Sequence, residues 1–520
     1  MELISSSTIL LTTLNARYAH SALGLRYLYA NLHEFQNEAI IVEFTINEQI
    51  QTIAEDILKY APKIIGISVY IWNAREVSDL IEILKKVSPD TVIVLGGPEA
   101  SYLPHRVDFS KADTIISGEG EVAFYELCKE ILAVSIPKLV LGNEEHGSTG
   151  SRRTGTEFIK APMLDLKAIK TPYRAYSDED VANRMIYVEA SRGCPFECEF
   201  CLSSMDEKVR NFPLDELLEE FEILWARGAR SFKFIDRTFN LNMTFANRIL
   251  DFFLSKEPPY FAHFEVIPDH FPDSLKAKIS LFPQGALQLE IGIQTLDPII
   301  AKGINRPLRL EKIFENLKFL ENETEAHMHL DLIVGLPGES IEGFGRNLDK
   351  LVSLTHSEIQ IGILKNLSGT TLSRHDKEHG MIYSDTPPYD ILQNNNLTFI
   401  QIQKMKRFAR FWDIFYNSGS FDTTVKLLWS EGKVFDGFYA FSEWIYTQTL
   451  STWKISLDRQ ITLVYEFLIL THEIDTVQNA LMEDLSKRPE KTIPFFLRQS
   501  SADKRKHEKS VTPKRQANRI

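Results

Sequence analysis

Cysteine is scarce, with four in 520 residues. That is too few for a disulfide framework, which excludes a small stapled extracellular fold. Long apolar runs are missing too. A run such as Thr91–Leu95 falls far short of the ~20 residues that span a bilayer. Met1–Asn15 lacks the basic start and small-residue cleavage site of a secretory signal. Positive charge is in deficit: 58 Lys and Arg face 71 Asp and Glu, a formal net charge of -13. Such a balance argues against nucleic acid as a partner of the whole chain. These absences predict a cytoplasmic protein with reduced thiols and no membrane partner. Residues 500–520 depart from the deficit, carrying Lys504, Arg505, Lys506, Lys509, Lys514, Arg515 and Arg519, and read as a basic disordered tail.

What remains is ordinary globular composition, long enough for two to four domains. Over residues 1–141, short β-branched runs alternate with amphipathic segments. Strands are expected at Thr8–Leu14, Ala39–Phe44, Lys63–Tyr70, Thr91–Leu95 and Thr114–Ser117. This is an α/β pattern, a doubly wound Rossmann-like sheet whose ligands bind at the carboxyl ends of the strands. Residues 142–180, Gly- and Ser-rich over Gly142–Thr156, read as a linker. A second alternating series over residues 181–370 has six strand candidates, from Met185–Ala190 to Glu358–Leu364. It predicts a partial (β/α)6 TIM-type barrel with its chemistry at the strand C-termini. Alternation stops near Thr398. Ile400–Tyr416, Val434–Gln448 and Ile461–Leu485 predict a separate C-terminal helical region over residues 395–490, rich in aromatics.

Three of the four cysteines crowd into Cys194-Pro195-Phe196-Glu197-Cys198-Glu199-Phe200-Cys201, directly after the first strand of the second series. A cubane cluster takes four thiolates. Three leave one iron open, as catalytic metal sites require and structural ones do not. Zinc on three Cys and a His is the rival reading, but the loop has no neighbouring His and no paired C-x2-C units. Cys128 lies in the amphipathic pattern Val122, Tyr125, Leu127, Cys128, Ile131 and reads as a small core residue.

C-x3-C-x2-C with Phe200 before the last cysteine resembles the signature of the radical S-adenosylmethionine (SAM) superfamily. Phe234-Ile235-Asp236, Glu290-Ile291-Gly292-Ile293-Gln294-Thr295 and Leu332–Glu339 resemble further elements of that superfamily, in order. The resemblance implies a [4Fe–4S] cluster on Cys194, Cys198 and Cys201. It implies reductive cleavage of SAM to methionine and a 5′-deoxyadenosyl radical, and a flavodoxin- or ferredoxin-like electron donor. It places Phe200, Asp236, Glu290, Gln294, Gly335 and Leu336 around SAM. Asp236-Arg237-Thr238 stands where many relatives carry Gly-Gly-Glu.

A doubly wound domain ahead of such a barrel resembles the cobalamin-binding class of the superfamily. Gly96-Gly97-Pro98-Glu99 and Gly118-Glu119-Gly120-Glu121 match elements of that class. The resemblance implies cobalamin contacts at Thr13, Leu14, Asn15, Ser68, Gly96, Gly97, Pro98, Gly118 and Glu119. The Asp-x-His-x-x-Gly cobalt-ligand motif is not intact; His20 and Gly24 stand at another spacing, and His20 reads as a loop residue. The helical region resembles an uncharacterised domain that follows such cores in some bacterial proteins. The expectation is methyl transfer to an unactivated centre of a small molecule. The alternatives are a cobalamin-dependent rearrangement or cyclisation, a cobalamin-free radical SAM enzyme, and a non-enzymatic iron–sulfur or cobalamin carrier. A methylthiotransferase would want three more cysteines in the first domain, where Cys128 is alone.

Overall fold

The computed structural model describes residues 7–134, 155–206, 208–430 and 432–488, together with Pro494 and Leu497. Most of the expected linker Gly142–Thr156 and all of the expected basic tail lie outside the described residues. No helix among the described residues is long and apolar enough to cross a membrane.

The first sheet is wholly parallel, in the order β2-β1-β3-β4-β5-β6. Its strands are β1 (Ile9–Asn15), β2 (Ala39–Thr45), β3 (Ile64–Ser68), β4 (Val92–Gly96), β5 (Thr114–Ser117) and β6 (Glu157–Lys160). Every residue of β1 is buried, as in a strand covered on both faces. Helices α1 (Leu23–Ala30) and α4 (Gly120–Val134) cover one face through Leu25, Phe124, Leu127 and Cys128. Helices α2 (Ile50–Leu58) and α3 (Ala74–Val87) cover the other through Ile53, Ile57, Val77, Leu80 and Leu84. The chain reverses winding between β1 and β3, the point where such sheets open a ligand crevice.

Strand β6 corrects the expected linker. Glu157–Lys160 pairs with Thr114–Ser117, so the first sheet runs past residue 141. The pattern Glu-Phe-Ile-Lys alternates exposed and half-buried residues, as suits an edge strand, and is too short to stand out in sequence. Helix α5 (Asp178–Asn183), opened by a capping box from Ser177, begins at the end of that expected linker.

The second sheet has strand order β14-β13-β12-β11-β10-β7, again all parallel. Strand β7 (Ile186–Val188) leads into a small antiparallel pair, β8 (Ser191–Arg192) and β9 (Arg210–Asn211), which brackets the cysteine loop. Helix α6 (Leu214–Ala226), β10 (Ser231–Phe234), α7 (Met243–Leu254), β11 (Phe261–Val266), α8 (Asp273–Ile279) and β12 (Leu287–Gln294) follow. Then come α9 (Pro298–Gly303), α10 (Leu310–Glu323), β13 (His327–Val334), α11 (Ile341–Leu354) and β14 (Glu358–Ile363). Strands β12 and β13 alternate strictly. In β13, Met328, Leu330, Leu332 and Val334 are buried while His327, His329, Asp331 and Ile333 are half-buried. That period of two sends one residue set to the helices and a polar set to the barrel interior.

Beyond the short helix α12 (Asp376–His379) lies a hairpin, β15 (Ile382–Tyr383) with β16 (Ile391–Gln393). Helices α13 (Phe399–Trp412), α14 (Val434–Thr449), α15 (Leu457–Leu468) and α16 (Ile474–Ser486) complete the described chain. Two expectations need correcting. Ile461–Leu485 is broken between α15 and α16. And the helical region is not separately cored: its Phe408, Phe411, Trp412 and Phe438 belong to the same buried cluster as the barrel's Ile291, Leu332 and Leu348. Gly345 of α11 shows how close the fit is, since a Cβ there would lie 2.6 Å from the Phe435 ring.

Candidate functional site

The cysteine loop is held from both sides. Gly193 sits at φ +93, and a Cβ there would run into the Lys208 carbonyl, so only glycine serves. Cys194 N donates to Asp206 O at 2.8 Å. Glu199, between the second and third cysteines, is 3% exposed. Its carboxylate meets His375 Nε2 at 2.6 Å, Arg374 Nη2 at 2.6 Å and Asn305 Nδ2 at 3.1 Å. The strand-to-helix turns of a barrel put such a loop at the catalytic edge.

Cys194, Cys198 and Cys201 line one cavity of about 370 Å³ with Phe200, Arg237, Glu265, Glu290, Gln294, Arg306 and Asp331 among its walls. Burial pushes the Cys194 thiol up. Among the described residues no three His, Cys, Asp or Glu side chains are gathered as a single ion would need. The thiols are instead set around a volume, beside Arg306, whose Nη1 lies 3.4 Å from Cys198 Sγ and whose Nη2 donates to Gly292 O. That arrangement fits a multi-iron cluster. Cys128 takes no part. It is fully buried under the first sheet, and burial raises its thiol to about 12.

Of the residues expected around SAM, Phe200, Glu290 and Gln294 face this cavity. Gln294 does so from a register break in β12, with φ +68, a conformation that a non-glycine residue holds only under tertiary constraint. Glu290 is already engaged. His263 Nε2 lies 2.8 Å and Lys233 Nζ 3.3 Å from its Oε2, and the His263 ring together with the Lys233 charge holds its carboxyl well below the usual range despite burial. Asp236 is placed differently. It is buried and accepts from Ala190 N at 2.9 Å and Ser191 Oγ at 2.5 Å, so it braces the turn after β7 and does not line the cavity. Gly335 and Leu336 also miss the cavity walls. Leu336 is fully buried, and the space where a Cβ of Gly335 would sit is taken by Ile391 of the hairpin, 2.8 Å away.

A second cavity, about 810 Å³, opens at the reversal point of the first sheet. Asn15, Ser68, Gly96, Gly97, Pro98, Gly118 and Glu119 line it from the first sheet, and Tyr187, Glu189, Arg192, Ile235 and Arg237 from the barrel. Thr13 and Leu14 do not line it. Leu14 lies in the apolar core, and the Thr13 hydroxyl donates to Ser68 O at 2.9 Å. Of the three, only Asn15, at the carboxyl end of β1, lines the crevice. Gly97, at φ +98, is needed by the backbone: a Cβ would lie 2.6 Å from Val69 O. Gly24, by contrast, has nothing within 4 Å of a Cβ and also lines the cavity. The residues fit a large flat ligand laid against backbone. Glu119 reaches across to the barrel, with its Oε1 2.7 Å from Arg210 Nη2 and 3.2 Å from Arg192 Nη1. His20 Nδ1 meets the Tyr187 hydroxyl at 2.7 Å.

Sequence reasoning missed two residues. Asn73, fully buried, donates from Nδ2 to Thr13 Oγ1, Leu14 O and Ser68 O and so ties the ends of β1 and β3 together. Tyr389 of the hairpin donates to Glu99. Nothing local marks either role. Among the described residues, none of the helical region lines the two cavities.

Two models of known domains match in the order of the two sheets: the B12 binding domain over residues 9–128 and the Radical SAM superfamily over residues 188–351. A third, a protein family of unknown function (DUF4080), covers residues 377–520. The chain is 24% identical over 407 residues to an uncharacterized methyltransferase of Pyrococcus horikoshii, covering 74% of this chain and 86% of that protein. Its fold is similar to the radical SAM methyltransferase TsrM of Kitasatospora setae, solved with cobalamin and a [4Fe–4S] cluster. The TM-score is 0.57 at 16% identity, over 74% of this chain and 82% of that one. It is also similar to the cobalamin-dependent radical enzyme OxsB with aqua-cobalamin and SAM bound. There the TM-score is 0.59 at 13% identity, over 93% and 84%. With two parallel sheets, a three-cysteine loop on the barrel and a glycine-lined crevice on the other sheet, the chain joins a B12 binding domain to a Radical SAM domain.

Proposed function

We propose that this chain is a cobalamin-dependent radical SAM methyltransferase acting on a small molecule, in a reducing cytoplasm and with a flavodoxin- or ferredoxin-like electron donor. One observation carries the reading. The crevice of the first sheet is closed by barrel residues Tyr187, Glu189 and Ile235, and meets the cysteine cavity at Arg237. A methyl carrier and a radical source held at these two sites can reach one substrate.

Cys194, Cys198 and Cys201 hold the cluster, with Glu199 and Arg306 fixing the loop. Phe200, Glu290 and Gln294 face SAM. Asn15, Ser68, Gly96, Gly97, Pro98 and Gly118 form the bed for cobalamin, and Glu119 locks that bed to the barrel. Residues 9–160 form the cobalamin domain and residues 186–363 the radical domain. When bound, the cluster and SAM supply a carbon-centred radical, and cobalamin supplies the methyl group. The chain's own task is to position the substrate between them and keep water out.

Anaerobic reconstitution tests this directly. Wild-type protein should hold about four irons and retain cobalamin. Mass spectrometry should show both SAM cleavage and S-adenosylhomocysteine. Cys198→Ala should lose the cluster, and Cys128→Ala should keep it. Gly24→Trp should block cobalamin by filling open space, with iron content unchanged. Normal cluster chemistry in Cys198→Ala would sink the assignment. A wild type that never retains cobalamin would reduce it to a cobalamin-free radical enzyme.

A further inference from the structure

Among the described residues, Arg237 alone lines both cavities. It stands just beyond the carboxyl end of β10, next to Asp236. Asp236 turns inward to brace Ala190 and Ser191, and Arg237 points the other way. Its Nη1 donates to both carboxylate oxygens of Glu265, each at 3.0 Å. Glu265 lines only the cysteine cavity, so the guanidinium is anchored from that side.

The other arginines in these walls are differently placed. Arg192 is 15% exposed and shared among Glu119, Glu121 and Glu189. Arg306 is committed to Cys198 and the Gly292 carbonyl. Arg309 pairs with Asp269 and lines only the cysteine cavity. Arg237 remains 51% exposed. A guanidinium offers five N–H donors in a fixed fork. Both contacts with Glu265 use Nη1, which leaves the Nη2 edge of a side chain that lines both cavities. A second partner of opposite charge is what such an edge takes, and a flat fork matches an oxyanion best.

We propose that Arg237 is a specificity-determining residue that binds an oxyanion of the substrate, a carboxylate or a phosphoryl group, at the junction of the two cavities. The inference rests on the function proposed above, because a substrate worked on from both cavities has to lie at this junction. Glu265 sets the angle of the fork and keeps Arg237 from collapsing onto the cysteine loop.

The test uses reconstituted, cobalamin-loaded protein with SAM, and calorimetric titration with benzoate, phenylphosphonate and the neutral benzamide. At least one anion should bind wild type about tenfold tighter than benzamide, the gain expected of one charge-assisted contact. Which anion wins tells a carboxylate from a phosphoryl site. Arg237→Gln should abolish the preference and Arg237→Lys should keep part of it, since a lysine retains charge without the fork. Anions that bind wild type no tighter than benzamide, or a preference that survives in Arg237→Gln, would overturn the assignment. Iron and cobalamin are measured on the same samples. Their absence from wild type overturns the proposed function, whereas their presence without an anion preference overturns only the role of Arg237.

Discussion

Buried carboxylates in this barrel end in opposite states because their neighbours differ. Glu290 has His263 and Lys233 beside it and stays ionised. Asp236 has only the Ala190 amide and the Ser191 hydroxyl, and burial raises it to about 7. Glu339, 2% exposed, has the Thr295 hydroxyl and the Asn347 amide, and burial raises it from 4.5 to about 8. For an acid whose folded value lies above its unfolded one, the folded state binds the extra proton between the two values. Stability therefore falls as pH rises from about 4.5 to about 8. The cost above that range is at most about 5 kcal/mol, at 1.36 kcal/mol per unit. Glu339→Gln has the same shape and no charge to gain. It should match wild type in thermal unfolding at pH 5 and exceed it clearly at pH 9. An equal offset at both pH values would show that Glu339 is not the titrating group. At this scale the cysteine spacing was legible in sequence, because a ligand set is local. Asp236 and Glu199 were not: one turns away from the cavity and the other towards His375, 176 residues on, and such partners are chosen by packing.

Elements were read best where one period ran unbroken. Strand β13 alternates strictly, and such a period leaves one reading. β6, with four residues on an edge, and the hairpin β15–β16 carry too few residues for a period. The independence expected of the helical region failed for a different reason. Its apolar stripes looked self-sufficient, yet α13 and α14 turn them onto α11 and β14. Gly345 tests that union. On an exposed helix, replacing glycine by a larger residue usually adds helix propensity. Here a side chain meets the Phe435 ring, so Gly345→Val should lose about 1–3 kcal/mol by overpacking. Differential scanning calorimetry should show the barrel and helices shifting together. A separate transition for the helices, with the barrel unmoved, would restore the picture of an independent domain.

On the scale of the whole molecule, joint action of the two sites depends on the sheets keeping their carboxyl edges face to face. Charge does much of this. Glu43 of β2 is 5% exposed and accepts from Arg26 Nη2 and Arg184 Nη1, each at 2.8 Å, with Asp180 completing the group. It also accepts from Asn15 Nδ2 at 3.1 Å and Ala22 N at 2.6 Å. One carboxylate thus joins a strand end at the cavity, a helix start and the segment leading into the barrel. Replacing Glu43 leaves Arg26 and Arg184 to share Asp180, and breaking a buried charge network in this way costs about 3–5 kcal/mol. Glu43→Gln should therefore lower the melting temperature and loosen the seat of Asn15, so that the protein retains less cobalamin. The cysteine loop is tied down separately, by Asp206 and Glu199, so reconstituted iron should stay at the wild-type level. A variant that melts like wild type would show that this cluster is not what holds the sheets together. Equal loss of iron and cobalamin would show that the two sites are coupled more tightly than their separate anchors imply.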